Sequence, residues 1–396
     1  MACSFSIENE SKTNAECFER NYSHARLRDA KAHLAYVVKC LKDDGQLSSC
    51  AVSRIMKTIN SFKTLQAAIP GFEEHAKMSK RARKILSRSL EGSLGFLSRD
   101  DVVSHDSFSW SQEFLRAGNS TFERRALSAI VYEQTKAACI NGFNSSDSQM
   151  YKISSETIEK MQKGTIVANR LPPLISPGPF YHTEICVIEA DTIDAAHRLS
   201  LLGYNPVTLN FANQEKVGGG VIRGAHAQEE SLFRRSSYFL GLDIQYNPFL
   251  KKQMKGHYRI PEFGAVYTPS VTVIRGTEAE GYPFISPYQL DFIACAAYDI
   301  AQHPFSHSSE YVDKTKVKIR MILRLSVNTD HDSVVLGAFG CGAFKNPVSL
   351  VAKMFSEVLS EDEFLGQFRM VTFAILCDAS ENKVQIFQDA LEHLNF

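Results

Sequence analysis

A short apolar run, Val207 to Phe211, leads through Ala212, Asn213, Gln214, Glu215, Lys216 and Val217 straight into three consecutive glycines, Gly218, Gly219 and Gly220. The run has the length and composition of a buried strand. Three glycines in a row cost backbone entropy, so a packed strand or helix gains nothing from them. They suit a tight turn whose N–H groups lie open to a ligand, as around a phosphate. Gly224 follows, then Gln228, Glu229 and Glu230, and Leu232 to Leu240 has the periodicity of a helix with one buried side. The two glutamates therefore fall in or just before a first helical turn, where the helix dipole favours acidic groups. Adjacent helical residues point about 100° apart, so the two carboxylates are expected to do different work.

A second loop of the same kind follows another apolar run. Val334, Val335 and Leu336 open into Gly337, Ala338, Phe339, Gly340, Cys341, Gly342, Ala343, Phe344, Lys345 and Asn346, and a helix is expected from Pro347 to Leu359. The N–H groups of such a loop, with the following helix start, form a second cradle for an anion. Phe344 offers a flat face to a ribose or an adenine. Cys341 is considered as a nucleophile and disfavoured, because no base lies near it in sequence. Two glycine loops at strand ends, one followed by carboxylates, imply a ligand with phosphate in the middle and sugars on both sides. ADP-ribose and sugar nucleotides both have that layout. Neither loop is a nucleoside-triphosphate loop or a GxGxxG dinucleotide motif. His226 is a further polar candidate, but no second histidine stands at helical ligand spacing.

Around these loops the pattern alternates strands and helices. A strand is expected at Glu184–Glu189, a helix capped by Asp191 running to Gly203, a helix at Val317–Val327, and strands at Ser333–Phe339 and Met370–Cys377. This repetition argues for an α/β fold, a mixed or parallel sheet covered by helices, with ligands at the carboxyl ends of its strands. Upstream, Phe122 to Ile140 reads as a strong amphipathic helix stopped by Gly142. Asp101 to Trp110 reads as a linker. Residues 143–182, rich in Ser, Gly and Pro, read as a surface segment without a core of its own. Three parts are thus expected: a helical accessory region at 1–105, a helical and irregular extension at 106–183 packed on the catalytic domain, and the catalytic domain at 184–396.

The 396 residues carry 44 acidic and 44 basic side chains, a formal net charge of zero. The chain as a whole has no electrostatic attraction to nucleic acid, and direct nucleic-acid binding is not expected. Lys77, Lys80, Arg81, Lys84 and Arg88 would share one face of a continuous helix, a surface for an anionic partner or for a protein. Nine cysteines are scattered without CxxC spacing, which fits reduced thiols rather than disulfides or a zinc site. No apolar run is long enough for a transmembrane helix, and no signal peptide is evident. If the source is eukaryotic, cytoplasmic or nuclear residence is expected, with export by a signal-independent route left open.

The segment GGGVIRGAHAQEE, Gly218 to Glu230, resembles the signature of the microbial-type poly(ADP-ribose) glycohydrolases, a triple glycine followed after a short spacer by Gln-Glu-Glu. NFAN at 210–213, SLFRRS at 231–236 and VLGAFGCGAFKNP at 335–347 extend the likeness over roughly residues 120–380. The resemblance implies a macrodomain-like, three-layer fold of a mixed sheet flanked by helices, with the extra N-terminal region outside it. It implies that Glu230 protonates the departing ribose oxygen and then activates water, and that Glu229 holds ribose hydroxyls. By the same likeness Asn213 and Gln228 belong to the substrate site. Gly218, Gly219 and Gly220 would pass beside the ribose and diphosphate. Gly340, Cys341, Gly342 and Ala343 would wrap the phosphates, and Phe344 would orient the terminal ribose. No metal and no cofactor are expected, because a dissociative, oxocarbenium-like step needs a proton donor and a placed water. The expected partner is an ADP-ribose polymer or an ADP-ribosylated protein. Two other functions fit the same motifs: removal of a single ADP-ribose from a side chain, and ADP-ribose binding without hydrolysis.

Overall fold

The computed structural model describes residues 105–118, 121–173, 180–301, 308–376 and 382–394. The expected N-terminal accessory helices and their basic face, Lys77 to Arg88, lie outside the described residues, as does Cys377. The fold divides into two compact units. The first takes the described residues up to Lys152 with Gly220–His226 and Ile274–Ser286; the second takes Ile153–Gly219, Ala227–Val273 and the chain from Pro287 onward.

In the first unit, α1 (Ser107–Arg116) begins at Asp106, whose side chain accepts the Ser109 N–H at 3.1 Å. This helix replaces part of the linker expected at Asp101–Trp110. Trp110 is the reason. It is buried, stacks on Phe114 at 4.7 Å, meets Tyr282 edge-on at 5.1 Å and donates its indole N–H to the Leu127 carbonyl at 3.3 Å. The amphipathic helix α2 (Thr121–Asn141) ends at Gly142, whose φ of +98° suits glycine. Two short strands, β1 (Phe143–Asn144) and β2 (Met150–Tyr151), pair antiparallel behind it. Arg275 is a fully buried charged residue of this unit. It donates to Thr135 Oγ1 at 2.8 Å and to the Tyr282 carbonyl at 2.7 Å, and it lies 3.7 Å over the Phe284 ring.

The second unit opens with α3 (Ser155–Gly164), buried through Met161, and β3 (Ile166–Ala168). The segment expected to run along the surface therefore supplies a strand to the main sheet. There follow β4 (Glu184–Ile188), α4 (Thr192–Leu201), β5 (Pro206–Phe211), α5 (Gln228–Arg235), α6 (Tyr238–Leu242) and α7 (Pro248–Gln253). Then come β6 (Ala265–Arg275), β7 (Phe284–Cys295), α8 (Ser309–Asn328), β8 (Ser333–Leu336), α9 (Val348–Leu359), β9 (Met370–Ala374) and α10 (Lys383–Leu391). The helix expected at Leu232–Leu240 is interrupted, because Ser236 turns extended and bridges to Val273. Pro347 is the cap of α9 rather than its first residue. The strands β6 and β7, which periodicity left unassigned, carry Pro269 and Pro287, residues that weaken a strand signal.

Seven strands form one mixed sheet in the order β3-β6-β7-β5-β8-β9-β4. The block from β7 to β4 is parallel, with Val207 opposite Asp291 on one side and Val334 on the other. Alternation along β5 sends Val207 and Leu209 into the main core with Ile319 and Ile322 of α8, Val351 and Phe355 of α9, and Phe387 of α10. Thr208 and Asn210 point to the opposite face, which α4 and α5 cover. The parallel register brings the carboxyl ends of β7, β5 and β8 to one edge, where both glycine loops leave. No helix among the described residues is long and apolar enough to cross a membrane.

The helix that carries the paired glutamates is anchored at its far end. Arg235, at the end of α5, is buried and reaches Asp191 Oδ1 and Asp194 Oδ1, each at 2.6 Å. Asp191 also caps α4 by accepting the Ile193 N–H at 2.8 Å. Removing the carboxylate leaves the guanidinium buried, whereas removing the guanidinium leaves carboxylates that water can reach. Asp191→Ala is therefore expected to destabilise the protein by about 3 kcal/mol, and Arg235→Met by roughly half as much, in urea unfolding.

Candidate active site

The first loop is built around one carboxylate. Glu229 is 3% exposed, and its Oε2 accepts the Asn213 N–H at 2.8 Å while its Oε1 accepts the Gly218 N–H at 3.2 Å. Asn213 Oδ1 in turn accepts the N–H groups of Glu215 and Lys216, both at 3.0 Å, and Gly219 N–H closes the turn on the Lys216 carbonyl at 2.9 Å. Gly218 and Gly219 have φ of +68° and +58°, the left-handed region where a side chain is strained. Gly219 also lies against both acids: a Cβ there would stand 2.5 Å from Glu230 Oε1 and 3.0 Å from Glu229 Oε2. Gly220 begins the next turn, its carbonyl accepting from Arg223 and Ala225.

The two acids differ in surroundings. Burial pushes the pKa of Glu229 well above the usual carboxylate range, against the opposing pull of the Asn213 N–H, and the neighbouring Glu230 charge pushes it further the same way. Fully buried Asn210 adds a side-chain amide beside the Glu229 carboxyl. Glu230 is 7% exposed and presents Oε1 toward the Gly219 backbone.

The side-chain amide of Gln228 meets partners within the protein. Its Oε1 accepts the Phe211 N–H at 2.9 Å, and its Nε2 donates to the Leu209 carbonyl at 2.8 Å and to Thr192 Oγ1 at 3.1 Å. The amide clamps the start of α5 to the end of β5, and Thr192 joins it from α4. In the first unit, His226 has both ring nitrogens engaged, with Glu278 at 2.9 Å and Ser128 at 3.1 Å.

The second loop leaves β8 beside the first. Gly337 packs so closely on Phe211 that a Cβ would stand 2.8 Å from the ring. Gly340 has φ of +75°, and a Cβ there would meet Ala297 and Asn346, both at 2.6 Å. Asn346, which the sequence reading passed over, organises the loop: its Nδ2 donates to the carbonyls of Tyr298 at 2.8 Å and Gly340 at 2.9 Å, and its Oδ1 accepts from the Tyr311 hydroxyl. Its position just before Pro347 was the one available signal. Cys341 is buried, with its thiol 3.7 Å from the Phe339 carbonyl, a turn residue rather than a presented nucleophile. Gly342 and Ala343 are exposed, and Phe344 is half-buried with its carbonyl accepting the Ile300 N–H at 3.1 Å. Asn213, Gly218, Gly219, Glu229 and Glu230 thus form one contiguous group. Gly340 to Phe344 stand at the end of the adjacent strand.

A mixed sheet that releases two glycine loops from neighbouring parallel strands, with a buried carboxylate pair behind one of them, is a macrodomain-like arrangement. The model of the microbial-type PARG (poly(ADP-ribose) glycohydrolase) catalytic domain matches residues 133–276, which include the first loop and both glutamates. A poly(ADP-ribose) glycohydrolase from Thermomonospora curvata, solved with the inhibitor ADP-HPD, is 29% identical with a TM-score of 0.55, over 67% of this chain and 98% of its own. A second structure of the same protein is 28% identical with a TM-score of 0.56, over the same shares. The Deinococcus radiodurans enzyme in complex with ADP-ribose is 27% identical with a TM-score of 0.52, over 62% of this chain and all of its own. Among curated proteins, none is significantly similar. Residues 133–276 thus match the microbial-type PARG catalytic domain, and the solved structures to which the chain is similar are bacterial PARGs.

Two outcomes test the geometry of the loop. Gly219→Ala should lower ADP-ribose affinity at least about tenfold in calorimetry, because the new Cβ must displace Glu230 or the turn. The raised pKa of Glu229 means that the native state holds its proton to higher pH than the unfolded chain. Stability from this group is therefore full below the unfolded carboxylate value and is lost as pH rises toward the native one. Glu229→Gln should lack that loss, so the stability gap between parent and variant should narrow as pH increases, read by urea unfolding at several pH values.

Proposed function

We propose that this protein hydrolyses the O-glycosidic ribose–ribose bond of poly(ADP-ribose) and releases ADP-ribose. The observation that carries the reading is the contact of both carboxylates with Gly219. The loop that would lie along the ribose is the same loop on which the acids rest, so a sugar held there meets Glu230 directly. Its relatives from T. curvata and D. radiodurans are glycohydrolases solved with an inhibitor and with ADP-ribose respectively, which supports the same substrate class.

In the proposed mechanism Glu230 donates its proton to the departing ribose oxygen as the bond to the anomeric carbon breaks. Positive charge spreads over that carbon and the ring oxygen, an oxocarbenium-like transition state. Glu230, now a carboxylate, takes a proton from the incoming water, whose oxygen bonds to the anomeric carbon, and the acid is restored. Glu229 has both oxygens on backbone N–H groups. Its part is to fix the loop and, through remaining lone pairs, to meet ribose hydroxyls. Asn213 shapes the turn and Gln228 sets the helix; both position the site. The loop Gly340–Ala343 is proposed to hold the diphosphate through its backbone N–H groups, with Phe344 against the terminal ribose.

Glu230→Gln keeps the shape of the side chain and removes the proton. Release of ADP-ribose from polymer, followed by mass spectrometry, should fall at least about a hundredfold in this variant while calorimetric binding of ADP-ribose persists. Parent-like turnover in the variant would remove Glu230 from this role. Release by the parent from mono-ADP-ribosylated proteins alone would move the substrate to a single attached unit.

A further inference from the structure

The acidic and basic side chains of this protein balance overall, 44 against 44, yet one stretch of the second unit is wholly basic. From Lys251 to Arg259 the sequence has Lys251, Lys252, Lys255 and Arg259 and no aspartate or glutamate. All four are exposed, on the end of α7 and the turn that follows it. The turn is defined by backbone: Lys255 and Gly256 have φ of +52° and +84°, and Gly256 N–H returns to the Lys251 carbonyl at 2.9 Å. Among the described residues Lys251, Lys252 and Lys255 enter no ion pair.

This basic turn is fastened to the first glycine loop. Ile260 N–H donates to the Gln214 carbonyl at 3.0 Å, Gln214 Nε2 donates to the Ile260 carbonyl at 3.1 Å, and Arg259 pairs with Glu215 at 3.0 Å. Gln214 directly follows Asn213, whose N–H rests on Glu229. Lys216, also exposed, belongs to the same loop, and its carbonyl receives the Gly219 N–H. The nearby acids are engaged: Glu215 by Arg259, Glu262 by Lys314 at 3.7 Å, Glu159 of α3 by Lys163 at 2.6 Å, and half-buried Asp243, which acts on Tyr258, by the Gln245 N–H at 2.8 Å. A net positive surface therefore adjoins the loop that carries the catalytic reading.

We propose that the turn Lys251–Arg259, with Lys216, is a docking surface for the units of an ADP-ribose polymer that flank the one being hydrolysed. The proposal rests on the reading of the site as a poly(ADP-ribose) glycohydrolase. Each unit of such a polymer brings a diphosphate, so a polymer seated in the cleft carries further pairs of negative charge outside it. Uncommitted lysines beside the loop meet that requirement, whereas an isolated ADP-ribose has no charge left to reach them. Attraction of this kind is screened over about 8 Å at physiological ionic strength and weakens steeply with salt.

The test is the triple variant Lys251→Glu, Lys252→Glu and Lys255→Glu, all on exposed side chains outside the hydrolytic group, with thermal unfolding as a check on folding. On long polymer at low salt its kcat/KM should fall about tenfold or more, the loss should shrink at high salt, and kcat/KM on an aryl glycoside of ADP-ribose, which carries no second diphosphate, should stay at the parent value. Equal loss on both substrates, or none on polymer, overturns the proposal. Binding of fluorescently labelled polymer, compared between Glu230→Gln alone and Glu230→Gln with the three lysine changes, decides the surface without turnover. If the parent releases ADP-ribose from neither substrate, the hydrolytic reading fails while this binding comparison still rules on the surface. A variant that keeps polymer binding but loses binding of a single-stranded oligoadenylate of matched charge would assign the surface to nucleic acid and overturn the proposal.

Discussion

The first glycine loop depends on a buried carboxylate that accepts two backbone N–H groups from residues five apart, Asn213 and Gly218. Holding both at once forces the chain between them into a tight turn, which the Asn213 side chain completes by accepting two further N–H groups. The turn then enters left-handed backbone at Gly218 and Gly219, where a side chain is strained, and at Gly219 a Cβ would also strike the acids. The position of Glu229 depends in turn on α5, whose first residue clamps β5 and whose last is locked by two aspartates. The loop, the helix and the strand end form one mechanical unit, held by buried Glu229 and Arg235 and half-buried Gln228.

Such an arrangement sets stability against chemistry. Two neighbouring acids are kept from water, and the desolvation that lifts the pKa of Glu229 is a cost to the fold wherever that group is charged. The backbone N–H groups offset part of it. Glu229 is held by donors on both oxygens, while Glu230 lies with its Oε1 toward the Gly219 backbone. Neighbours on one helix, about 100° apart, thus meet different surroundings, and that asymmetry supports a division of labour in the proposed reaction.

What the sequence makes legible is local. The glycine runs, the acidic first turn, the Asp191 cap and the stop at Gly142 are each written within a few residues, and each stands in the structure close to its expected place. What it hides is long-range. Pro269 and Pro287 mask two of the longest strands, which hold their places in the sheet through neighbours far away in the chain. Trp110 turns an apparent linker into a helix because it finds Leu127 and Tyr282. Gln228 reads as a ligand contact by motif, yet its amide is committed to Leu209, Phe211 and Thr192. Asn346 is the converse case: one polar residue, marked in sequence only by the proline after it, that fixes the second loop through three partners.

The parallel register of β7, β5 and β8 explains why so few side chains need to carry the site. Strands that run the same way release their loops at the same edge, so two stretches of backbone N–H come together without any side chain arranged to bring them there. In the proposed reading this backbone meets phosphate and ribose by shape and charge alone, and would do so equally for one ADP-ribose or for many. A preference for polymer must then arise where the ligand leaves the loops, from surfaces that a single unit does not reach. The basic turn beside Gln214 is such a surface, and its attachment to the first loop through Ile260 couples whatever it binds to the turn that positions Glu229.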